Sequence, residues 1–204
     1  VFQACIEVQT DALTVYRNNI RPLRALNENI ANLVAYDTNS RSKNDGIPNQ
    51  LPKLVRQELA ELKGNIDLVI AGPPCEGNSN FNNMTRRTDD RNELYVASVA
   101  CAIALEAKAV IVENVVTVQR ARQNVVERAK EMLISAGYKI GTCDAVLEAS
   151  RFGTPQKRRR HFLIASRTRE LDLSSCFEEL ESDPISAMEA IGDLRSITPC
   201  HDFD

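Results

Sequence analysis

Three short stretches of this sequence hold side chains able to do covalent or acid–base chemistry. The first is Pro73-Pro74-Cys75, directly after an apolar run at residues 67–71. A thiolate is a strong nucleophile, and a cysteine on a loop stiffened by two prolines is placed to attack an electrophilic carbon. The second is Glu113-Asn114, at the end of another apolar run at residues 109–112. A carboxyl group there can give or take a proton. The third is Gln156-Lys157-Arg158-Arg159-Arg160, which leads into the apolar residues 161–165. If that stretch is extended, Gln156, Arg158 and Arg160 share one face, with Lys157 and Arg159 on the other. Two guanidiniums and an amide would then line one surface. Taken singly, each stretch also has a structural explanation: a thiol in a tight turn, a strand leaving the core, a charged edge strand that discourages aggregation.

Such groups work only if a scaffold holds them, and the hydrophobic pattern says which. Residues 1–6 read as a buried strand, and Thr10 or Asp11 caps a helix through Ala12, Val15 and Tyr16. A strand is predicted within residues 29–36, a polar loop over 37–49 and a helix over 51–63. The runs at 67–71, which opens on Asp67, and 109–112 are short and apolar, as in parallel sheets. Helices are predicted over 93–108 and 119–136, the latter closed by Gly137. Residues 138–146 and 161–165 read as closing strands, and 185–194 as a short helix. This alternation predicts an α/β domain with a mostly parallel sheet. The chemistry-bearing residues follow apolar strands, at the carboxyl ends where open α/β sheets bind ligands.

Composition narrows the class further. At 204 residues, 43% hydrophobic and 26% charged, the chain suits one globular domain. Its apolar runs are strand-length, so a membrane-spanning helix is not expected. The net charge of −3 gives no global sign of a nucleic-acid binder. Positive charge is local, in Lys157-Arg158-Arg159-Arg160. None of the six cysteines forms a Cys-x-x-Cys pair, so neither a zinc site nor a disulfide framework is expected, and a reducing cytoplasm is the simplest setting. The absence of a Gly-x-Gly-x-x-Gly loop argues against a dinucleotide oxidoreductase. The absence of His-x-Glu with Pro-Cys-x-x-Cys argues against a zinc deaminase.

Taken together, the three stretches resemble a known family. Gly72-Pro-Pro-Cys-Glu-Gly-Asn-Ser79, Glu113-Asn-Val115 and Phe152-Gly-Thr-Pro-Gln-Lys-Arg-Arg-Arg160 are similar to three signature motifs of the DNA cytosine-5 methyltransferases, in the family's order. Ile6-Glu7 with Asp11-Ala12 and Tyr16-Arg-Asn-Asn19 looks like its second cofactor motif. Asp90-Arg-Asn-Glu-Leu-Tyr95 and Ala136-Gly-Tyr138 resemble flanking segments, and the loop from Asn82 to Arg87 is similar to one in some bacterial members. The resemblance implies a Rossmann-like S-adenosylmethionine-dependent methyltransferase fold over residues 1–166. It implies methylation of carbon 5 of a flipped cytosine in duplex DNA. Cys75 would be the nucleophile, and Glu113 the acid at ring nitrogen 3. Arg160 would hold the base carbonyl, with Arg158 beside it. Glu7 would take the cofactor ribose and Asp37 its adenine, with Pro74 and Leu94 lining the donor pocket. Asn78, Ser79, Asn82, Arg86 and Gln156 would meet the base and its phosphates. The implied setting is a monomer in the cytoplasm of a bacterium or phage host, with a cognate restriction endonuclease as a partner and no membrane or metal.

Departures from the family pattern sharpen these expectations. Glu76 stands where the family usually has Gln, and Asn78 where an aromatic is common. The family's glycine-rich first motif would precede Val1, and its target-recognition region would follow Asp204. The chain therefore reads as an internal piece lacking the fold's first strand and the recognition region. Residues 167–204 read as the start of the connection to that region. Such a piece is expected to bind the donor poorly and to methylate nothing alone. Two rivals stay in view: a tRNA cytosine-5 methyltransferase on the same motifs, and a non-catalytic DNA-binding relative. The loop of Asn and Arg residues after Cys75 favours DNA over tRNA. The intact Cys75, Glu113 and Arg160 favour an enzyme.

Overall fold

A computed structural model describes residues 1–36, 50–74, 90–121, 123–141 and 146–196. The chain opens with β1 (Ala4–Ile6), α1 (Thr10–Ile20) and β2 (Arg24–Leu26), then β3 (Val34–Ala35), β4 (Lys53–Leu54) and the single-turn α2 (Gln57–Ala60). Next come β5 (Leu68–Ala71), α3 (Glu93–Ala104), β6 (Ala109–Val115), α4 (Val125–Ser135), β7 (Lys139–Ile140), β8 (Val146–Glu148) and β9 (Arg159–Ser166). Two short helices follow, α5 (Leu173–Leu180) and α6 (Ala187–Ile191).

The main sheet runs β5-β6-β9-β7, with β8 also paired to β9. Its parallel character lies in the β5–β6 pair, and β1–β2 form a second parallel pair; β9 runs antiparallel to β6, β7 and β8. Along β6, Val110, Val112 and Asn114 are buried, while Ile111, Glu113 and Val115 are only half-buried. Along β9, His161, Leu163 and Ala165 are buried, while Arg160, Phe162 and Ile164 are half-buried. This period-2 alternation gives the sheet one closed face and one partly open face. The closed face packs on α3 and α4. From Tyr95 to Ala104 every residue of α3 is buried, as its all-round apolar sequence requires. The outer edge of β5 has no partner among the described residues, and Ile70 there is 71% exposed.

Several predicted elements take another form. Residues 29–36 hold a 3-10 turn, Ile30–Asn32, capped by the Asn29 side chain, before the two-residue β3. Residues 51–63 begin as β4, because Lys53 and Leu54 pair with Ala35 and Val34. Only one α-helical turn follows it. The predicted helix over 119–136 is broken: a 3-10 turn, Val116–Arg120, precedes it, and Asn124 at φ 49 re-aims the chain before α4. Gly137, at φ 84, closes α4 as expected. Helix α5 had no counterpart in the predicted pattern. It folds back on the body, with Phe177 edge-on to Phe152 at 6.2 Å, Glu181 paired with Arg151, and Leu173 seated where Gly141 carries no Cβ.

Glu106 has φ 54, a left-handed backbone conformation, at the end of α3. Its carboxylate meets Lys63 at 3.2 Å, but both side chains are about half exposed, so the pair contributes little. Glu106→Gly removes the Cβ clash that conformation carries. It is expected to stabilise the chain by about 0.5 kcal/mol, read as a higher urea midpoint. A lower midpoint would mean the ion pair outweighs the backbone.

Candidate active site

Described parts of the three chemistry-bearing stretches, Pro73, Glu113-Asn114 and Arg160, meet at one end of the main sheet. Parallel pairing sets Ala71, the last residue of β5, beside Val112, one residue before Glu113 in β6. Antiparallel pairing sets Val115 beside Arg160, Asn114 beside His161 and Glu113 beside Phe162. Glu113 and Arg160 are thus diagonal neighbours on the partly open face. The Arg160 Nε lies 2.9 Å from Glu113 Oε1 as an ion pair, with the side chains 22% and 36% exposed. Arg160 Nη1 also donates to the Arg159 carbonyl at 2.8 Å, which fixes the plane of the guanidinium. The site therefore presents an oriented carboxyl group beside a fixed cation.

Asn114 ties this pair to the proline loop. Its Nδ2 donates to the Pro73 carbonyl at 3.2 Å, and its Oδ1 accepts from the Val115 amide at 2.8 Å. It is 3% exposed. Sequence reasoning singled out the Glu113-Asn114 pair but gave Asn114 no task. The signal was present: a polar residue at an inward position of an otherwise apolar strand must have partners. Asn114→Leu is expected to leave the Pro73 carbonyl unpaired and to cost about 1–3 kcal/mol by denaturant melting. A loss under about 0.5 kcal/mol would show that the tether holds nothing.

Gln156 and Arg158 do not share a strand face with Arg160. β9 begins only at Arg159, and both residues lie exposed on the turn before it. Gly153 at φ 73 bends the chain, and Pro155 offers no amide to a sheet ladder. The turn is held instead by Ala149 N to Arg158 O at 2.9 Å and Gln156 N to Thr154 O at 2.7 Å. The cationic run is therefore a projecting corner leading into Arg160.

Glu7 follows β1 directly. Its amide donates to the Leu26 carbonyl at 3.1 Å, and its Oε1 accepts from the Gln9 amide at 2.8 Å. The side chain of Asn27 donates to the Glu7 and Val8 carbonyls, both at 2.9 Å. The carboxylate is thereby oriented at a strand's carboxyl end. Pro74 is exposed and Leu94 half-buried at the second position of α3. The start of α3 is anchored to α4 by a bidentate pair, Arg128 to Glu93 at 2.6 and 3.0 Å. Cys75, Asn78, Ser79, Asn82, Arg86 and Asp37 lie outside the described residues.

Comparison with known proteins identifies the family. A model of C-5 cytosine-specific DNA methylases matches residues 4–199. Type II methyltransferase M1.BsuMI of Bacillus subtilis is 32% identical over 195 residues, which are 95% of this chain and 42% of that protein. Type II methyltransferase M.AgeI of Thalassovita gelatinovora is 36% identical over 60% of this chain and 28% of its own length. The chain thus spans less than half the length of these relatives. A prophage-encoded protein of E. coli, assigned as a DNA modification methyltransferase, superposes with a TM-score of 0.61 at 21% identity, over 93% of this chain and 47% of that one. The S. pombe Dnmt2 methyltransferase gives 0.53 at 14% identity, over 89% and 46%. At such identities the structural likeness speaks for the fold alone, a Rossmann-like α/β domain. With the family model covering nearly all of its length, the chain belongs to the C-5 cytosine-specific DNA methylases.

Proposed function

We propose that the protein containing this chain methylates carbon 5 of cytosine in duplex DNA, through a covalent Cys75 adduct on a base turned out of the helix. The observation that carries this reading is the Glu113–Arg160 pair, joined through Asn114 to the carbonyl two residues before Cys75. Cytosine is a poor nucleophile at carbon 5. Attack of the Cys75 thiolate on carbon 6 forms a C–S bond and pushes the ring electrons toward nitrogen 3, where the Glu113 carboxyl group, having first taken a proton from solvent, supplies a proton or hydrogen bond. Carbon 5 then has the electron density to take a methyl group. Arg160, within 2.9 Å of Glu113, is placed to hold the base carbonyl as charge builds. Loss of the carbon-5 proton restores the double bond and expels Cys75 as thiolate. The target atom cannot be reached inside a stacked duplex, so the base must leave it.

S-adenosylmethionine, when bound, supplies the electrophilic methyl group. The donor set fits it: the oriented Glu7 carboxylate for the ribose hydroxyls, with Pro74 and Leu94 toward the methyl donor. Asp37 is proposed for the adenine. Arg158, Gln156, Asn78, Ser79, Asn82 and Arg86 are proposed to face the base and its phosphates. The type II names of the relatives support a bacterial or phage setting with a cognate restriction endonuclease. Among the described residues no helix is long and apolar enough to cross a membrane.

The test is transfer of labelled methyl groups from S-adenosylmethionine by the uninterrupted reading frame, offered duplex DNA and tRNA in parallel. Label on duplex DNA is the expected result. Label on tRNA alone would move the substrate to RNA. No label on either, with the donor bound, would leave a non-catalytic DNA-binding relative.

A further inference from the structure

The closed face of the sheet beneath the site is apolar at Val110, Val112, Leu163 and Ala165, then polar at Asn114 and His161. His161 is 0% exposed, and its Nε2 lies 3.0 Å from the hydroxyl of Tyr95, itself 1% exposed on α3. The rings are tilted, with centroids 6.2 Å apart. Burial lowers the His161 pKa to about 4, so the ring is neutral at neutral pH and the pair is uncharged. Nδ1 has no hydrogen-bond partner among the described residues.

Two apolar side chains would fill this space without any desolvation cost. The hydrogen bond adds direction, because it fixes where α3 stands against β9. It does so at the residue next to Arg160, opposite Asn114 in the register, and at the α3 residue next to Leu94. One buried bond therefore couples the strands carrying Arg160 and Glu113 to the helix carrying Leu94.

We infer that Tyr95 and His161 form a positioning pair for methyl transfer, setting the stance of Arg160 and Glu113 toward the base while touching neither DNA nor donor. The inference rests on the proposed methyl-transfer reading. It separates from a purely structural role because replacing both partners by apolar groups of similar shape should spare stability while misplacing the reacting groups.

The test uses the full-length protein with Tyr95→Phe and His161→Leu together, measured in steady-state methyl transfer and by thermal melting. The expected result is a melting temperature at or above wild type, KM for DNA and donor within about twofold, and kcat lower by about tenfold or more. A kcat within about twofold of wild type in the folded double variant would overturn the pair's role. If the double variant folds poorly, Tyr95→Phe alone removes only the hydroxyl, and an unchanged kcat there overturns the inference equally. Wild-type protein inert toward both duplex DNA and tRNA would overturn the methyl-transfer reading together with the inference. An active wild type with an equally active double variant would overturn the inference alone.

Discussion

Full-length protein carrying Cys75→Ala is expected to lose methyl transfer to duplex DNA by about four orders of magnitude or more, while DNA binding persists. Without a sulfur to add at carbon 6, nothing raises the electron density at carbon 5. Proximity to the methyl donor then brings together two partners that do not react. Two described thiols, Cys101 and Cys5, are ill suited to take over. Burial pushes the Cys101 thiol up to about 12, and burial with the nearby Glu7 charge raises that of Cys5, so neither offers a ready thiolate. Cys101→Ala is the matched control: it trims a 2%-exposed core residue and should leave the transfer rate alone. The measurement is labelled-methyl transfer in a single turnover beside a DNA-binding assay. Residual transfer within about tenfold of wild type would remove Cys75 from the mechanism.

The elements that build the site were readable from sequence because their signals are local. β5 and β6 are short apolar runs that end in proline or in charge, and α3 is apolar on all sides. Elements that depend on a distant partner were not readable. β2 is three residues long and exists through its pairing with β1, and β4 exists through β3. Within residues 51–63, Leu59 and Leu62 have helical spacing, but pairing of Lys53 and Leu54 with β3 wins over propensity. Helix α5 carried a usable signal in Leu173, Cys176, Phe177 and Leu180, spaced for one helix face after an Asp172 cap. At the site, types and order marked Glu113 and Arg160, but their diagonal contact needed the β6–β9 register. The face assigned to Gln156 and Arg158 failed because the strand starts only at Arg159, three residues after the Gln156 at which the alternation began. The partner of Asn114 and the pairing of Tyr95 with His161 were hidden for a shared reason. These contacts span 41 and 66 residues of sequence, beyond the reach of any periodicity.

Glu113→Gln is the substitution that most directly asks what the carboxyl group does. Glutamine keeps the shape and can still donate a hydrogen bond to ring nitrogen 3, but it has no acidic proton to deliver. If proton delivery matters, kcat should fall by about two to three orders of magnitude, with DNA affinity within a few-fold. Folding should be little affected, because the Arg160 contact lies on the partly open face, where an ion pair contributes modestly. Arg160→Ala is expected to lower kcat by about two orders of magnitude through lost stabilisation of charge on the base carbonyl. The informative quantity is the double variant. If the 2.9 Å contact makes Glu113 and Arg160 one unit, the double variant should be hardly slower than the worse single variant. Losses that multiply would mean that the two groups act on the base independently and that their contact is only a resting arrangement. The cycle is read from single-turnover rates at saturating DNA, so that changes in binding do not enter. A Glu113→Gln variant with near wild-type rate would leave hydrogen bonding alone as the role of this residue and would shift the burden of charge stabilisation to Arg160.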